Sequence, residues 1–276
     1  MQDFNSPHLI EDFLRRVRIT KSLNTYKSYK SAMKMIMESL GDSPLSESVI
    51  LNIISDWQQS VSINTIKYRL VVLTQYCKFL GMNTDILDSL LEELSSEHTL
   101  QPCPTVSEFE KILSKVKNFK YKAILLIMAE SGARVSEVVG IDLKDTDLLQ
   151  GVVVVRDTKN NEDKVIRLSK RAIENIQFYI DKERIDTSDI KLFTSKFGCQ
   201  TIIATQKQIK KYCMLAGLSK YHCHSFRHYF AQRLIDSNCS LPIVQKAMGH
   251  KSSKSTEKYF KVDYGTVFNA VGSVFK

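Results

Sequence analysis

The sequence predicts a mainly α-helical protein with a small antiparallel β-sheet, divided into two domains. Three observations carry this prediction. Apolar residues recur at helical spacing along most of the chain, two β-branched runs flank one polar turn, and a Ser- and Pro-containing stretch at 95–110 lacks any helical period. We therefore expect a first domain at residues 1–95, a linker at 96–105 and a second domain at 106–276.

Four helical patterns fill the first domain. In each of them the apolar residues share one face, and glycines end the second and the fourth pattern. The patterns lie at residues 10–17, 26–40, 49–57 and 66–80.

Two of these helices are expected to begin alike. The segments SLNTYK (22–27) and SINTIK (62–67) each place Ser, Asn and Thr at a helix start, with a lysine in the first turn. Free N–H groups and a lysine suit a phosphate group, but plain N-capping by serine explains the same pattern. Both interpretations stay open.

The second domain is expected to combine helices with one β-hairpin. Its first helix, at 106–118, is assigned a capping box of Ser107 and Glu110, and an apolar helix then breaks at Gly132 and resumes. The runs GVVVVRD and KVIRL flank a polar turn and predict the hairpin. Those strands lie at 151–157 and 164–168, and further helices are expected at 170–184, 204–216, 224–237, 241–248 and 253–261.

Composition narrows the class of protein. With 43% hydrophobic and 25% charged residues, the 276-residue chain is typical of globular proteins. No apolar run approaches the ~18 residues of a membrane span, and the N-terminal segment lacks the basic-then-apolar form of a signal peptide. The six cysteines contain no C-x-x-C pair, which predicts reduced thiols in an intracellular protein.

The net charge of +9 is unevenly divided along the chain. Residues 1–100 hold 10 Lys and Arg against 12 Asp and Glu, whereas residues 101–276 hold 29 against 18. A basic second domain suits a polyanionic partner, most simply nucleic acid. A solvated lysine-rich surface explains the charge equally well.

The segment HSFRH places His224, Arg227 and His228 on one helix face, at i, i+3 and i+4. The two histidines have the spacing of a metal-binding pair. However, a guanidinium beside a divalent cation is unfavourable, and no carboxylate or second cysteine lies nearby in sequence. The pattern therefore favours a phosphate site over a metal site, and we expect no metal ion.

Further cationic and hydrogen-bonding residues occur along the second domain. They are Arg134 in ARVSEVVG, Lys159 in the hairpin turn, His250 in MGH and Tyr259 in STEKYFKV. In order, spacing and local context, residues 106–262 resemble the tyrosine recombinases, which include the phage-type integrases and the Xer-like recombinases. The first domain matches the family's helical core-binding (SAM-like) domain only in size and class.

The resemblance implies a site-specific DNA recombinase that cleaves and rejoins strands through a covalent 3′-phosphotyrosine, without metal ions, ATP or another cofactor. Asparagines replace the family's usual glycines in the hairpin turn, so Lys164 remains a rival to Lys159. The implied catalytic residues are Arg134, Lys159, His224, Arg227, His250 and Tyr259, with His228 and Glu137 in support. Candidate DNA contacts in the first domain are Lys27, Lys30, Lys67 and Arg69.

The implied partner is a double-stranded DNA recombination site, held between the two domains of each subunit of a homotetramer. The C-terminal tail is apolar at Val267, Phe268, Val271 and Phe275 and is expected to dock on a neighbouring subunit, with packing on its own subunit as the alternative. The resemblance places the protein on DNA in a prokaryotic or viral setting, in the cytoplasm and away from membranes. A type IB topoisomerase and a non-catalytic DNA-binding protein are the alternative functions.

Overall fold

The computed structural model describes residues 4–41, 43–94, 102–156, 163–185 and 190–249. The chain divides into two compact units, Met1–Thr99 and Leu100–Lys276. The described residues are mostly helical and carry small antiparallel sheets, which confirms the predicted fold class. None of the helices in these ranges is long and apolar enough to cross a membrane.

Five helices form the described part of the first unit, around a core that includes Met33, Ile36, Leu70 and Tyr76. The sequence prediction missed the fifth helix, although its leucines have helical spacing and pack against this core. The helices are α1 (Pro7–Thr20), α2 (Leu23–Leu40), α3 (Glu47–Ser60), α4 (Ile63–Phe79) and α5 (Asp85–Leu94).

The two similar helix starts are serine N-caps. Ser22 accepts a hydrogen bond from the main-chain N–H of Thr25 at 3.2 Å, and Ser62 accepts one from that of Thr65 at 3.4 Å. In both caps the serine and threonine hydroxyls also bond to each other. The capping interpretation is confirmed, and it leaves open whether the lysines of the first turns contact phosphate.

In the described part of the second unit, seven α-helices surround small sheets. The strands β1, β2 and β3 form one antiparallel sheet in that order, and β4 and β5 form a separate hairpin that the sequence prediction missed. The helices are α6 (Val106–Lys115), α7 (Phe119–Ser131), α8 (Val135–Val139), α9 (Lys170–Phe178), α10 (Ile202–Leu215), α11 (Cys223–Asp236) and α12 (Leu241–Met248). The strands are β1 (Thr146–Asp147), β2 (Val152–Val155), β3 (Lys164–Arg167), β4 (Thr194–Ser195) and β5 (Gly198–Cys199).

Two predicted helices of the second unit need correction. The helix expected at 170–184 is an α-helix only to Phe178, after which a π-helical turn covers Tyr179–Glu183. The capping box of α6 uses Thr105 and Glu108, two residues before the predicted pair, because Thr105 is the last extended residue before the helix. The carboxylate of Glu110 instead binds Arg171. The helix expected at 253–261 lies outside the described residues.

Helix α7 is the centre of the second unit. Residues 123–129 are between 0 and 4% exposed, so the helix is buried on all sides, as an apolar helix without a polar face requires.

All six cysteines are free thiols, as predicted. Burial raises the pKa of Cys213 to about 11 and that of Cys223 to about 12, which keeps both thiols protonated.

Gly132 ends α7 in a conformation that other residues adopt only with strain. Its φ is 64°, and its main-chain N–H bonds to the carbonyl of Met128. A Cβ atom at this position would lie 2.5 Å from Cδ1 of Phe230 and 3.0 Å from Sδ of Met248. The end of α7 therefore packs directly against α11 and α12.

We predict that Gly132→Ala lowers the thermal unfolding midpoint more than the matched variant Gly217→Ala. Both glycines have a positive φ, of 64° and 71°, but a Cβ at Gly217 would meet no atom within 4 Å. Gly217→Ala carries only backbone strain of ~1–2 kcal/mol, whereas Gly132→Ala adds an overpacking cost of ~1–3 kcal/mol. Differential scanning calorimetry of both variants checks this, and equal losses would contradict the close packing at Gly132.

Candidate active site

Arg134 lies just after the end of α7, where the chain turns into α8. Its main-chain N–H donates to Oε2 of Glu137 at 2.8 Å, and its guanidinium Nη1 donates to Oε1 of the same carboxylate at 2.6 Å. The Arg134 side chain is 42% exposed and that of Glu137 is 14% exposed. One carboxylate thus starts α8 and orients the arginine, while a supporting role for Glu137 in catalysis stays a prediction.

Arg227, in α11, is buried with 3% of its surface exposed. Its Nη1 donates to the main-chain oxygen of Gly132, and its Nη2 donates to that of Met248 at 2.5 Å. These two carbonyls lie at the C-terminal ends of α7 and α12, where the helix dipole favours a cation. The guanidinium is therefore fixed by the main chain of two other helices.

The histidines of the HSFRH segment differ in exposure. His224, in the first turn of α11, is exposed, whereas His228 is only 2% exposed. Their rings meet edge to face, with centroids 4.8 Å apart. The ring of His224 is therefore accessible to solvent, and the buried ring of His228 contacts it from the next turn of α11.

Lys164, the first residue of β3, reaches the same place from the sheet. Its Nζ donates to the main-chain oxygen of Ser131 and lies 5.6 Å from the ring centroid of Phe230. Burial, followed by repulsion from Arg227, lowers the pKa of Lys164 to about 8. The carboxylate of Glu137 opposes this shift, and the guanidinium of Arg134 adds to it.

The structure therefore brings three cations, Arg134, Arg227 and Lys164, to the C-terminal end of α7. The sequence did not predict the main-chain oxygens that accept from Arg227 and Lys164, because every residue has a carbonyl group. Gly132, which ends α7, was the available signal. Lys159, His250 and Tyr259 lie outside the described residues. Across 4–41, 43–94, 102–156, 163–185 and 190–249, no group of three His, Cys, Asp or Glu side chains has the arrangement of a metal site.

The candidate DNA contacts of the first unit separate into two groups. Lys27 and Lys30 are exposed and Lys67 is partly exposed, so their ammonium groups are accessible to solvent. Arg69 is only 8% exposed, and its guanidinium lies over the ring of Trp57 at 4.7 Å. This cation–π contact joins α3 to α4 and does not support a direct phosphate contact for Arg69.

Comparisons with known proteins identify the family and the fold of the chain. The model of the phage integrase family matches residues 105–265. Tyrosine recombinase XerA of Pyrococcus horikoshii is 29% identical over 262 residues, which cover 92% of this chain and 89% of that protein. Tyrosine recombinase XerC of Thermodesulfovibrio yellowstonii is 27% identical over 282 residues, which cover 94% of this chain and 93% of that protein.

Solved structures share the fold. The Tn1549 transposon integrase in complex with transposon right end DNA has a TM-score of 0.81 at 17% identity, over 97% of this chain and 99% of that one. A lambda integrase dimer bound to a COC′ core site has a TM-score of 0.74 at 16% identity, over 94% and 95% of the two chains. Since the family model covers more than half of the sequence, this protein belongs to the phage integrase family of tyrosine recombinases.

Proposed function

We propose that this protein is a site-specific recombinase that cleaves and rejoins double-stranded DNA through a covalent bond between Tyr259 and a 3′-phosphate. Family membership and the recombinase names of its relatives support this function. The observation that carries it is the convergence of Arg134 and Arg227 at the end of α7, each held by acceptors of the protein itself.

The two arginines suit the charge that develops during cleavage. Attack on a phosphodiester gathers negative charge on the non-bridging oxygens, and fixed guanidinium groups stabilise it without reorganising during the reaction. A guanidinium has five N–H donors, and Arg134 uses one of its side-chain donors on Glu137. Donors of Arg134 therefore remain for phosphate oxygens.

The proposed step conserves atoms and charge. The hydroxyl oxygen of Tyr259 attacks phosphorus, the P–O5′ bond breaks, and a 3′-phosphotyrosine and a free 5′-hydroxyl form. His224 accepts the tyrosine proton, while a lysine, Lys159 or Lys164, donates one to the 5′-oxygen. Attack by the 5′-hydroxyl of a partner strand reverses the step, and no nucleotide hydrolysis is needed because the bond energy is stored covalently.

Two histidines complete the proposed site. His250 donates a further hydrogen bond to the phosphate. His228 supports the ring of His224, and their edge-to-face contact agrees with that role.

The nucleophile also needs activation, because a tyrosine with an unperturbed pKa of about 10 is a weak nucleophile at neutral pH. Both arginines favour the phenolate form of Tyr259.

The first unit is proposed to contact the DNA backbone through Lys27, Lys30 and Lys67. Lys27 and Lys67 follow the first turns of α2 and α4, near main-chain N–H groups that also attract phosphate, and Lys30 lies one turn further along the exposed side of α2. For the assembled state we propose a homotetramer joined through the C-terminal tail, residues 263–276, which lies outside the described residues. One structural neighbour is a lambda integrase tetramer bound to a Holliday junction, which supports this assembly.

Tyr259→Phe is expected to abolish the covalent adduct, because phenylalanine lacks the attacking oxygen. The measurement is an SDS gel of protein incubated with nicked duplexes from the DNA that flanks its own gene. Tyr264→Phe is the matched control and is expected to keep the adduct. An adduct that persists in Tyr259→Phe would move the nucleophile to another residue.

Arg134→Ala is expected to reduce the cleavage rate by ~100- to 1,000-fold with little change in DNA affinity, since one fixed donor to the transition state is lost. Arg171→Ala is the matched control, because Arg171 also binds a carboxylate and is similarly exposed, at 50% against 42%. Single-turnover cleavage and gel-shift titrations check both variants. A loss of binding that parallels the loss of cleavage would assign Arg134 to DNA affinity instead.

The double variant Lys27→Ala/Lys67→Ala is expected to flatten the salt dependence of DNA binding. Each lost phosphate contact reduces the slope of log K against log salt by about 0.9. Lys78→Ala is the control, because Lys78 lies at the other end of α4 and pairs with Asp88 at 3.1 Å. An unchanged slope in the double variant would leave the two helix starts as structural caps only.

A further inference from the structure

Lys164 joins the sheet to the end of the central helix. It opens β3 opposite Val155 of β2, and its Nζ donates to the main-chain oxygen of Ser131, the last residue of α7. Ser131 is only 2% exposed and Lys164 is half-buried, so this bond is partly shielded from solvent. The ring of Phe230 covers the ammonium from α11.

The same helix end also holds Arg227. The carbonyl that follows Ser131 is that of Gly132, which accepts from Nη1 of Arg227. The last carbonyls of a helix have no partner inside the helix and carry its partial negative charge. Two adjacent carbonyls therefore bind two cations that arrive from different elements, β3 and α11.

This arrangement places like charges close together. Arg227 and Arg134 both disfavour the charged form of Lys164, and the carboxylate of Glu137 opposes them. Three cations around one carboxylate leave an excess of positive charge, which an oligonucleotide phosphate would neutralise. The charge of Lys164 is thus part of the environment of both arginines.

We propose that Lys164 is a positioning residue for the arginine pair, which fixes the end of α7 that holds Arg227 and adds its charge beside both guanidinium groups, and that it does not protonate the 5′-oxygen. Its ammonium is held against the end of α7 by the Ser131 carbonyl, 5.6 Å from the ring centroid of Phe230, whereas a proton donor has to reach the leaving oxygen. The inference rests on the proposed strand cleavage. It assigns proton donation to Lys159. The sequence had left both Lys159 and Lys164 as candidates for the catalytic lysine.

A sulfur substitution separates the two roles. A nicked duplex spanning the position cleaved by the unaltered protein is prepared with either oxygen or sulfur as the bridging 5′ atom. A thiolate is a much better leaving group than an alkoxide and needs no proton donor, since thiols have a pKa of about 8.5. The variants Lys164→Met, Lys164→Arg and Lys159→Ala are compared with the unaltered chain on both duplexes.

Lys164→Met is expected to slow cleavage by roughly 10- to 100-fold on both duplexes, the loss typical of one hydrogen bond to a charged group. Lys159→Ala is expected to slow cleavage of the oxygen duplex and to recover on the sulfur duplex. Recovery of Lys164→Met on the sulfur duplex would overturn the proposal. No adduct from the unaltered chain on either duplex would instead contradict the proposed function itself.

Lys164→Arg provides a second measurement that does not depend on the stability of Lys164→Met. The pKa of Lys164 is about 8, so the ammonium of the free protein loses its proton as the pH rises through this value, while arginine stays charged. At subsaturating DNA, the cleavage rate of Lys164→Arg relative to that of the unaltered chain is expected to rise from about pH 7 to about pH 9.5. Other titrating groups cancel in this ratio, and a constant ratio would exclude a role for the charge of Lys164.

Discussion

The buried guanidinium of Arg227 is the interaction on which the candidate site depends. A buried charge is unfavourable unless it is paired or hydrogen-bonded, and Arg227 meets this requirement with the carbonyls of Gly132 and Met248. Both carbonyls are exposed to the guanidinium because α7 and α12 end at glycines with a φ of 64°. The position of Arg227 therefore depends on where α7 and α12 end and on the burial of α7. The hydrophobic core around α7 thus holds the charged site in place.

The carboxylate of Glu137 serves local structure and charge placement together. It accepts from the main-chain N–H that precedes α8 and from the guanidinium of Arg134, so the start of α8 and the orientation of the arginine depend on the same group. An isolated ion pair between partly exposed side chains contributes little stability. In this site its effect is to hold a cation near Arg227 and Lys164, where the excess of positive charge favours a phosphate.

In the first unit, similar cationic residues have different environments because helices differ in burial. Helix α4 is buried at Ile66, Leu70 and Leu73, which brings Arg69 into the interior against Trp57. Lys27 and Lys30 lie on the exposed side of α2 and keep their charges in solvent. A basic residue near a helix start is thus available to DNA only when tertiary packing leaves that face of the helix uncovered.

The sequence alone is enough to predict the helical class, the hairpin of β2 and β3 and the pairing of Arg134 with Glu137, and it offered serine capping as one interpretation of two helix starts, since these features depend on local periodicity, turn residues and short spacings. It also identified the motifs of the family through their order along the chain. Three features follow from tertiary packing alone: the groups that hold Arg227, the bond between Lys164 and Ser131, and the burial of Arg69. The acceptors of Arg227 are main-chain oxygens 95 and 21 residues away, and such contacts arise from long-range packing that no local pattern of side chains encodes.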